Sequence, residues 1–182
     1  MTNLTKREIK NTFLKMLEEK PLNQITVKAL VTECGINRNS FYYHYPDIPA
    51  LIEEIVKDEA DGIIKEYSSI DSMQTGLNAI LAFASMKRKA LLHIFNSVNR
   101  DIFEQHLWKI CEYVVGAYLA SIFENSKLND FERKIAIKFY ICECFGFAMD
   151  WFTRGMEEDT EARIETFCEF NKKIFKQFLF EK

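Results

Sequence analysis

Apolar residues recur at three- and four-residue spacing along almost the whole chain and nowhere alternate with polar ones as a half-buried strand would require. Residues 4–19 place Leu4, Ile9, Phe13, Leu14, Met16 and Leu17 on one broad face, and Pro21 ends that helix. Leu22 and Ile25 then plug toward the same core. Thr26 is a good N-cap for a helix carrying Val27, Leu30, Val31 and Cys34. Gly35 stands where a helix end wants positive φ, and Ile36 can fold back over the helix just finished. Asn37 caps the next helix, in which Phe41 is the clear core residue, and Pro46 limits it to about two turns.

Beyond Pro46, Asp47 can cap a helix with Pro49 in its first turn, running to about residue 67 with Leu51, Ile52, Ile55, Val56, Ile63 and Ile64 on its buried side. Residues 68–72 form a polar break. Further helices are predicted over 73–86, 91–98 and 101–124, with Lys87, Arg88 and Lys89 interrupting the first two. Residues 125–129 read as a loop. The last two helices, 130–154 and 160–180, are joined by the short loop 155–159 and so form an antiparallel pair. Ile135, Phe139, Cys142, Phe145, Gly146 and Met149 mark a stripe on one; Ile164, Phe167, Cys168, Ile174, Phe175, Phe178 and Leu179 mark a wide stripe on the other. The fold class is all-α, with about nine helices. A three-helix bundle over residues 1–46 precedes a helical domain over 47–182.

A helix, a glycine turn and a short helix rich in polar and aromatic residues is the helix-turn-helix arrangement, whose second member lies in the DNA major groove. An ordinary two-helix corner with a solvated face would not need the run Phe41, Tyr42, Tyr43, His44, Tyr45. Together with Ile25, Thr26, Val27, Gly35, Ile36 and Leu51, that run resembles the DNA-binding signature of TetR-family transcriptional regulators, over roughly the first third of the chain. The residues 34–45 followed by Asp47 and Ile48 are similar to the branch that contains dihydroxyacetone-kinase-type regulators.

The resemblance implies base and phosphate contacts at Asn37, Arg38, Asn39, Ser40, Tyr42, Tyr43 and His44, with Thr26 and Lys28 touching the backbone. Chemically, Arg38 can read guanine through two parallel hydrogen bonds, and Asn37 or Asn39 can pair with adenine or grip phosphate. Tyr42 and His44 suit phosphate or thymine-methyl contact. Phe41 and Leu30 are core. Family members commonly carry a lysine where Ile48 stands, so a charge-assisted phosphate contact is missing here.

The resemblance also implies a homodimer bound to a palindromic operator and an effector cavity in the body, residues 47–182; repression is the favoured direction, with activation the alternative that the sequence leaves open. Candidate pocket residues are Phe83, Met86, His93, Phe103 and Trp108, with Cys111, Tyr118, Phe145 and Met149. For any one of them, ordinary core packing is the competing explanation. The apolar surplus on the terminal helices points to Phe139, Cys142, Gly146, Trp151, Phe167, Ile174 and Phe178 as the dimer face. The partners expected are double-stranded operator DNA, a second copy of the chain, and an unidentified small-molecule or protein effector.

Charge modifies this picture slightly. The net charge is −3, which argues against coating nucleic acid by bulk electrostatics. Residues 1–50 nevertheless hold seven Lys or Arg against five acids, leaving the acidic excess in the body. Five cysteines, odd in number and mostly on apolar faces, suit reduced thiols in a cytoplasmic protein. No apolar run reaches the ~18 residues of a membrane span.

Cys142 and Cys144 are wrongly spaced for a zinc knuckle, and no glycine-rich phosphate loop, nucleophile motif or carboxylate pair in an apolar pocket is present. No metal, cofactor or enzymatic activity is expected. The competing reading is a helical adaptor of the same fold that binds a small molecule or protein and no DNA.

Overall fold

The computed structural model describes residues 2–67, 72–98, 100–124, 126–157 and 160–180; the side chains at 2–3, 160–161 and 175–180 lie outside the description. Among these residues the chain is all-helical. In order the helices are α1 (Thr2–Glu19), α2 (Val27–Glu33), α3 (Arg38–His44), α4 (Ile48–Glu66), α5 (Met73–Met86), α6 (Arg88–Ser97), α7 (Arg100–Phe123), α8 (Asp130–Thr153) and α9 (Thr160–Phe180), with a 3₁₀ turn at Leu22–Gln24. Most of the polar break expected at 68–72, and Phe178 with the end of the α9 stripe, fall outside the described residues.

The chain forms two compact units, Met1–Val56 with Lys87–His106, and Lys57–Met86 with Leu107–Lys182. Helices α4 and α7 each contribute residues to both.

In the first unit, Ile9, Phe13, Met16 and Leu17 of α1 meet Leu30, Val31, Phe41, Tyr45, Leu51 and Ala90 in one buried cluster. Leu4 does not join it and is 67% exposed in the first turn of α1. Helix α6 lies along α1, with Ala90 buried and Ile94 packed on the core. The His93 Nδ1 is 2.8 Å from the Leu17 carbonyl, which can only accept, so that nitrogen carries the proton. Lys87 pairs with Glu18 at 2.8 Å.

One carboxylate joins three elements of this unit. Glu54 of α4 accepts from Lys6 Nζ at 2.8 Å and from Lys10 Nζ at 2.7 Å on α1. The Tyr45 hydroxyl, just past α3, donates to it at 3.1 Å. Burial raises the Glu54 pKa, but the hydrogen bonds from Lys10, Lys6 and Tyr45 outweigh burial and hold it at about 2.

The second unit is built from α5, α8, α9 and the later parts of α4 and α7. Met73, Leu119, Phe123, Tyr140 and Cys168 form its core, flanked by Leu77, Val115, Tyr118, Ile137, Ile164 and Phe167. A capping box starts α8: the Asn129 side chain accepts from Glu132 N while Glu132 accepts from Asn129 N, both at 2.9 Å. Its end is a Schellman turn with Gly155 at φ 70 and Met156 N donating to Trp151 O at 2.8 Å. Phe147 packs on Phe167 and Asp150 lies near Arg163, the reversed order of an antiparallel pair.

The depressed Glu54 pKa has a defined sign. A carboxylate held below its ordinary value contributes stability above about pH 4.5, and that contribution is lost as pH falls toward 2. The full linkage is about 3 kcal/mol, reduced to about 2 because the carboxylate is partly exposed. Urea unfolding should show Glu54→Gln less stable than wild type by about 2 kcal/mol above pH 5, with the gap closing on acidification.

Candidate nucleic-acid interface

Local capping sets the two short helices. Thr26 Oγ1 accepts from Ala29 N at 3.1 Å at the start of α2. At its end Gly35 N donates to Thr32 O at 3.2 Å and Ile36 N to Val31 O at 3.0 Å, with Gly35 at φ 66. This is a Schellman turn, and it reverses the chain within two residues. Asn37 Oδ1 then accepts from Ser40 N at 2.8 Å and from Ser40 Oγ at 3.1 Å, opening α3. Asp47 Oδ1 accepts from Ala50 N at 2.8 Å to open α4.

Phe41 fixes the rotation of α3 about its own axis. It is fully buried, edge-on to Tyr42 at 5.5 Å and tilted against Tyr45 at 5.8 Å. With about 100° per residue, burying Phe41 turns Asn39 and Tyr43 to the opposite face and Tyr42 to its edge, while Arg38 in the first turn lies about 60° from Phe41; all four are exposed. Tyr43 stands out furthest at 76%, braced edge-on by His44 at 4.9 Å. Ser40 and His44 lie half-buried at its flank, while Thr26, Lys28 and Asn37 are exposed.

The geometry assigns different chemistry to the two asparagines. Asn37 spends its carbonyl oxygen on the cap, so it retains only an amide donor suited to phosphate. Asn39 keeps both the donor and the acceptor that a bidentate adenine contact needs. Ile48 packs against the first-unit core, which gives an apolar reason for its departure from lysine. Lys6 and Lys10 are held on Glu54.

Sequence reasoning missed Tyr45 and Glu54 as the support of this face. The available signal was the i, i+4 pair Lys6 and Lys10 beside buried Ile9, and an acid within the apolar run around Leu51.

The expected pocket residues are divided between the two compact units. His93 and Phe103 belong to the first unit, Phe103 packing on Phe95 at 4.9 Å. In the second unit Phe83 is half-buried and Met86 is 79% exposed, because α5 ends there. Trp108, Cys111 and Phe145 do converge, with Trp108 edge-on to Phe145 at 5.4 Å. Tyr118 and Met149 pack as core. A groove of about 340 Å³ lies elsewhere, lined by Asp58, Glu59, Gly62, Ile63, Glu66, Tyr67 and Ala79.

Of the expected dimer residues, Phe139, Cys142 and Gly146 are exposed along α8. Trp151 is half-buried, its Nε1 donating to Glu157 O at 3.2 Å. Phe167 packs within its own unit against Phe147, and Ile174 is half-buried. The stripe expected on α8 therefore divides: Ile135, Phe139, Cys142 and Gly146 face out, while Phe145 turns to Trp108 and Met149 is buried.

Residues 14–55 match the family model described as bacterial regulatory proteins, tetR family. Residues 71–173 match a second, described as a transcriptional regulator C-terminal region. An uncharacterized HTH-type transcriptional regulator, YxbF of Bacillus subtilis (strain 168), is 26% identical over 176 residues, covering 89% of this chain. The chain spans 43% of that relative's length. Among solved structures, the dihydroxyacetone kinase operon activator DhaS superposes with a TM-score of 0.67 at 19% identity, over 94% of this chain and 97% of its own. That likeness shows the fold. No described helix is long and apolar enough to cross a membrane.

At Gly35 an added Cβ meets no atom within 4 Å, so Gly35→Ala carries conformational strain alone. The expected cost is about 1 kcal/mol, read as a lower urea midpoint with an unchanged slope.

Proposed function

The chain belongs to the tetR family of bacterial transcriptional regulators, and from that membership we propose that it binds a palindromic operator as a homodimer. The observation that carries this reading is the exposure of Arg38, Asn39, Tyr42 and Tyr43 on a short helix anchored by fully buried Phe41. Arg38 reads guanine, Asn39 reads adenine, and Tyr42, Tyr43, Thr26, Lys28 and the Asn37 amide grip the backbone. Two such helices meet half-sites about one turn, ~34 Å, apart.

The dimer face we assign is the outward stripe of α8. Phe131 is 73% exposed, Ile135 57% and Phe139 60%, spaced by one turn each. Cys142 and Gly146 continue the stripe, and nothing lies within 4 Å of a Cβ built on Gly146. A run of this kind on one helix is covered in a C2 pair by the same run on the partner.

Residues 1–46 act as the reader and 47–182 as the effector-binding and dimerising part. An effector held by the latter shifts operator affinity through a coupling free energy of about 1–3 kcal/mol. Helices α4 and α7, which contribute to both compact units, are the elements through which it acts. Repression is the direction proposed for this chain. DhaS is named an activator, so a promoter-reporter assay with and without the protein decides the sign.

Binding to the chain's own upstream DNA, followed by fluorescence anisotropy, tests the reading. Arg38→Ala should weaken specific binding by about 1–3 kcal/mol, roughly five- to 150-fold. With Arg38 on a base edge, Lys28 is the named cation that neutralises a phosphate in each head, and its contribution to the log–log salt slope should be about −2 for the dimer. Phe139→Asp should yield monomers by analytical ultracentrifugation. Absence of retention at low salt, with Arg38→Ala equal to wild type, would favour the adaptor of the same fold.

A further inference from the structure

The outward stripe of α8 changes character along its length. Its N-terminal half carries large side chains, Phe131, Ile135 and Phe139, each more than half exposed. Its C-terminal half is small. Cys142 and Gly146 are exposed there, and a Cβ built on Gly146 meets nothing within 4 Å. Thr153 is exposed on the same face, seven residues past Gly146 at about 100° per residue, and donates its hydroxyl to Met149 O of its own helix at 2.8 Å.

Two charges at the border of this stripe are matched within the second unit itself. Lys138 pairs with Glu112 at 2.9 Å and lies 4.2 Å from the Trp108 ring centre. Asp150 takes Arg154 Nε at 2.9 Å and lies 3.6 Å from Arg163. Neither is left bare for an identical stripe to meet.

A helix face that is large at one end and small at the other fits itself only when reversed. Laid parallel on a copy, large side chains meet large ones and the small half leaves a gap; laid antiparallel, the large half covers the small half twice. This self-complementarity selects a second copy of the chain as the occupant, since an unrelated partner has no need of the grading.

We propose that two copies pair through α8 in the antiparallel sense, with Phe139 of each seated on Gly146 of the other. The inference rests on the homodimer reading above and adds its register. The two-fold axis then passes between positions 142 and 143. The two Cys142 residues lie beside it, offset by about 1.5 Å along the helices. With no side chain at Gly146 the helices close to the short end of the ~8–10 Å interaxial range, which brings the paired Cys142 residues within the ~4.4–6.8 Å Cα separation that a disulfide spans.

Sedimentation velocity of the full chain over a range of concentrations reads the association. Gly146→Leu and Phe139→Ala should each weaken it roughly tenfold or more. The exchange variant carrying both should regain most of what Gly146→Leu loses, because a small residue again faces a large one. The open space around Gly146 within the chain lets Gly146→Leu fold, and circular dichroism checks that it does. Oxidation with copper phenanthroline should link two wild-type chains through Cys142. Ile135→Cys in a Cys142→Ser background should stay unlinked, its two thiols being about 22 Å apart along the helices. A dimer whose exchange variant is no tighter than Gly146→Leu, or one that links at Ile135→Cys and not at Cys142, overturns the register and leaves the homodimer standing. A wild-type chain that stays monomeric throughout overturns both.

Discussion

A single carboxylate governs the stance of α3. Glu54 is the point at which α1, the end of α3 and α4 meet, with two ammonium groups and one phenol on its oxygens. Burying a carboxylate is costly, and removing any partner leaves a charge or donor poorly satisfied. The arrangement therefore tolerates little displacement. Tyr45 extends the constraint, because its ring lies in the core against Phe41 while its hydroxyl reaches Glu54. Phe41 sets the rotation of α3, and Tyr45 with Glu54 sets where α3 ends.

This internal pairing has an electrostatic consequence for the proposed DNA contact. Lys6 and Lys10 account for two of the seven basic residues in the first 50, and both are committed to Glu54. Ile48 adds packing where a lysine would have added charge. The surface around α3 is thus weakly basic, and recognition rests on geometry and hydrogen bonding more than on bulk attraction. With fewer phosphates neutralised, the proposed contact releases fewer counterions and depends more on the base contacts proposed for Arg38 and Asn39.

What the sequence made legible was local. Helix spans follow from 3.6-residue periodicity, and the turn at Gly35 and the caps at Thr26, Asn37 and Asn129 depend on residues within a few positions of one another. What it hid was long-range. The Glu54 network joins residues up to 48 apart, and nothing local tells that α6 lies on α1. Which of the expected pocket residues serve a cavity is hidden for another reason: aromatic residues on a helix satisfy a core pattern and a ligand pattern equally well.

The α8 stripe shows how far exposure can be taken. A large aromatic side chain offers about 150–250 Å², so Phe131, Ile135 and Phe139, each more than half exposed, leave on the order of 400 Å² of apolar surface per chain. Two copies would cover roughly 800 Å², half of a standard ~1,600 Å² interface. Gly146 bears on this beyond area, since a position without a Cβ lets the facing backbone approach closely. Phe145 is drawn inward by Trp108, which removes it from the stripe and leaves Gly146 as the low point beside it. A partner helix seated there would be placed by that dip, and the register of the proposed dimer would follow from a residue that contributes almost no buried area itself.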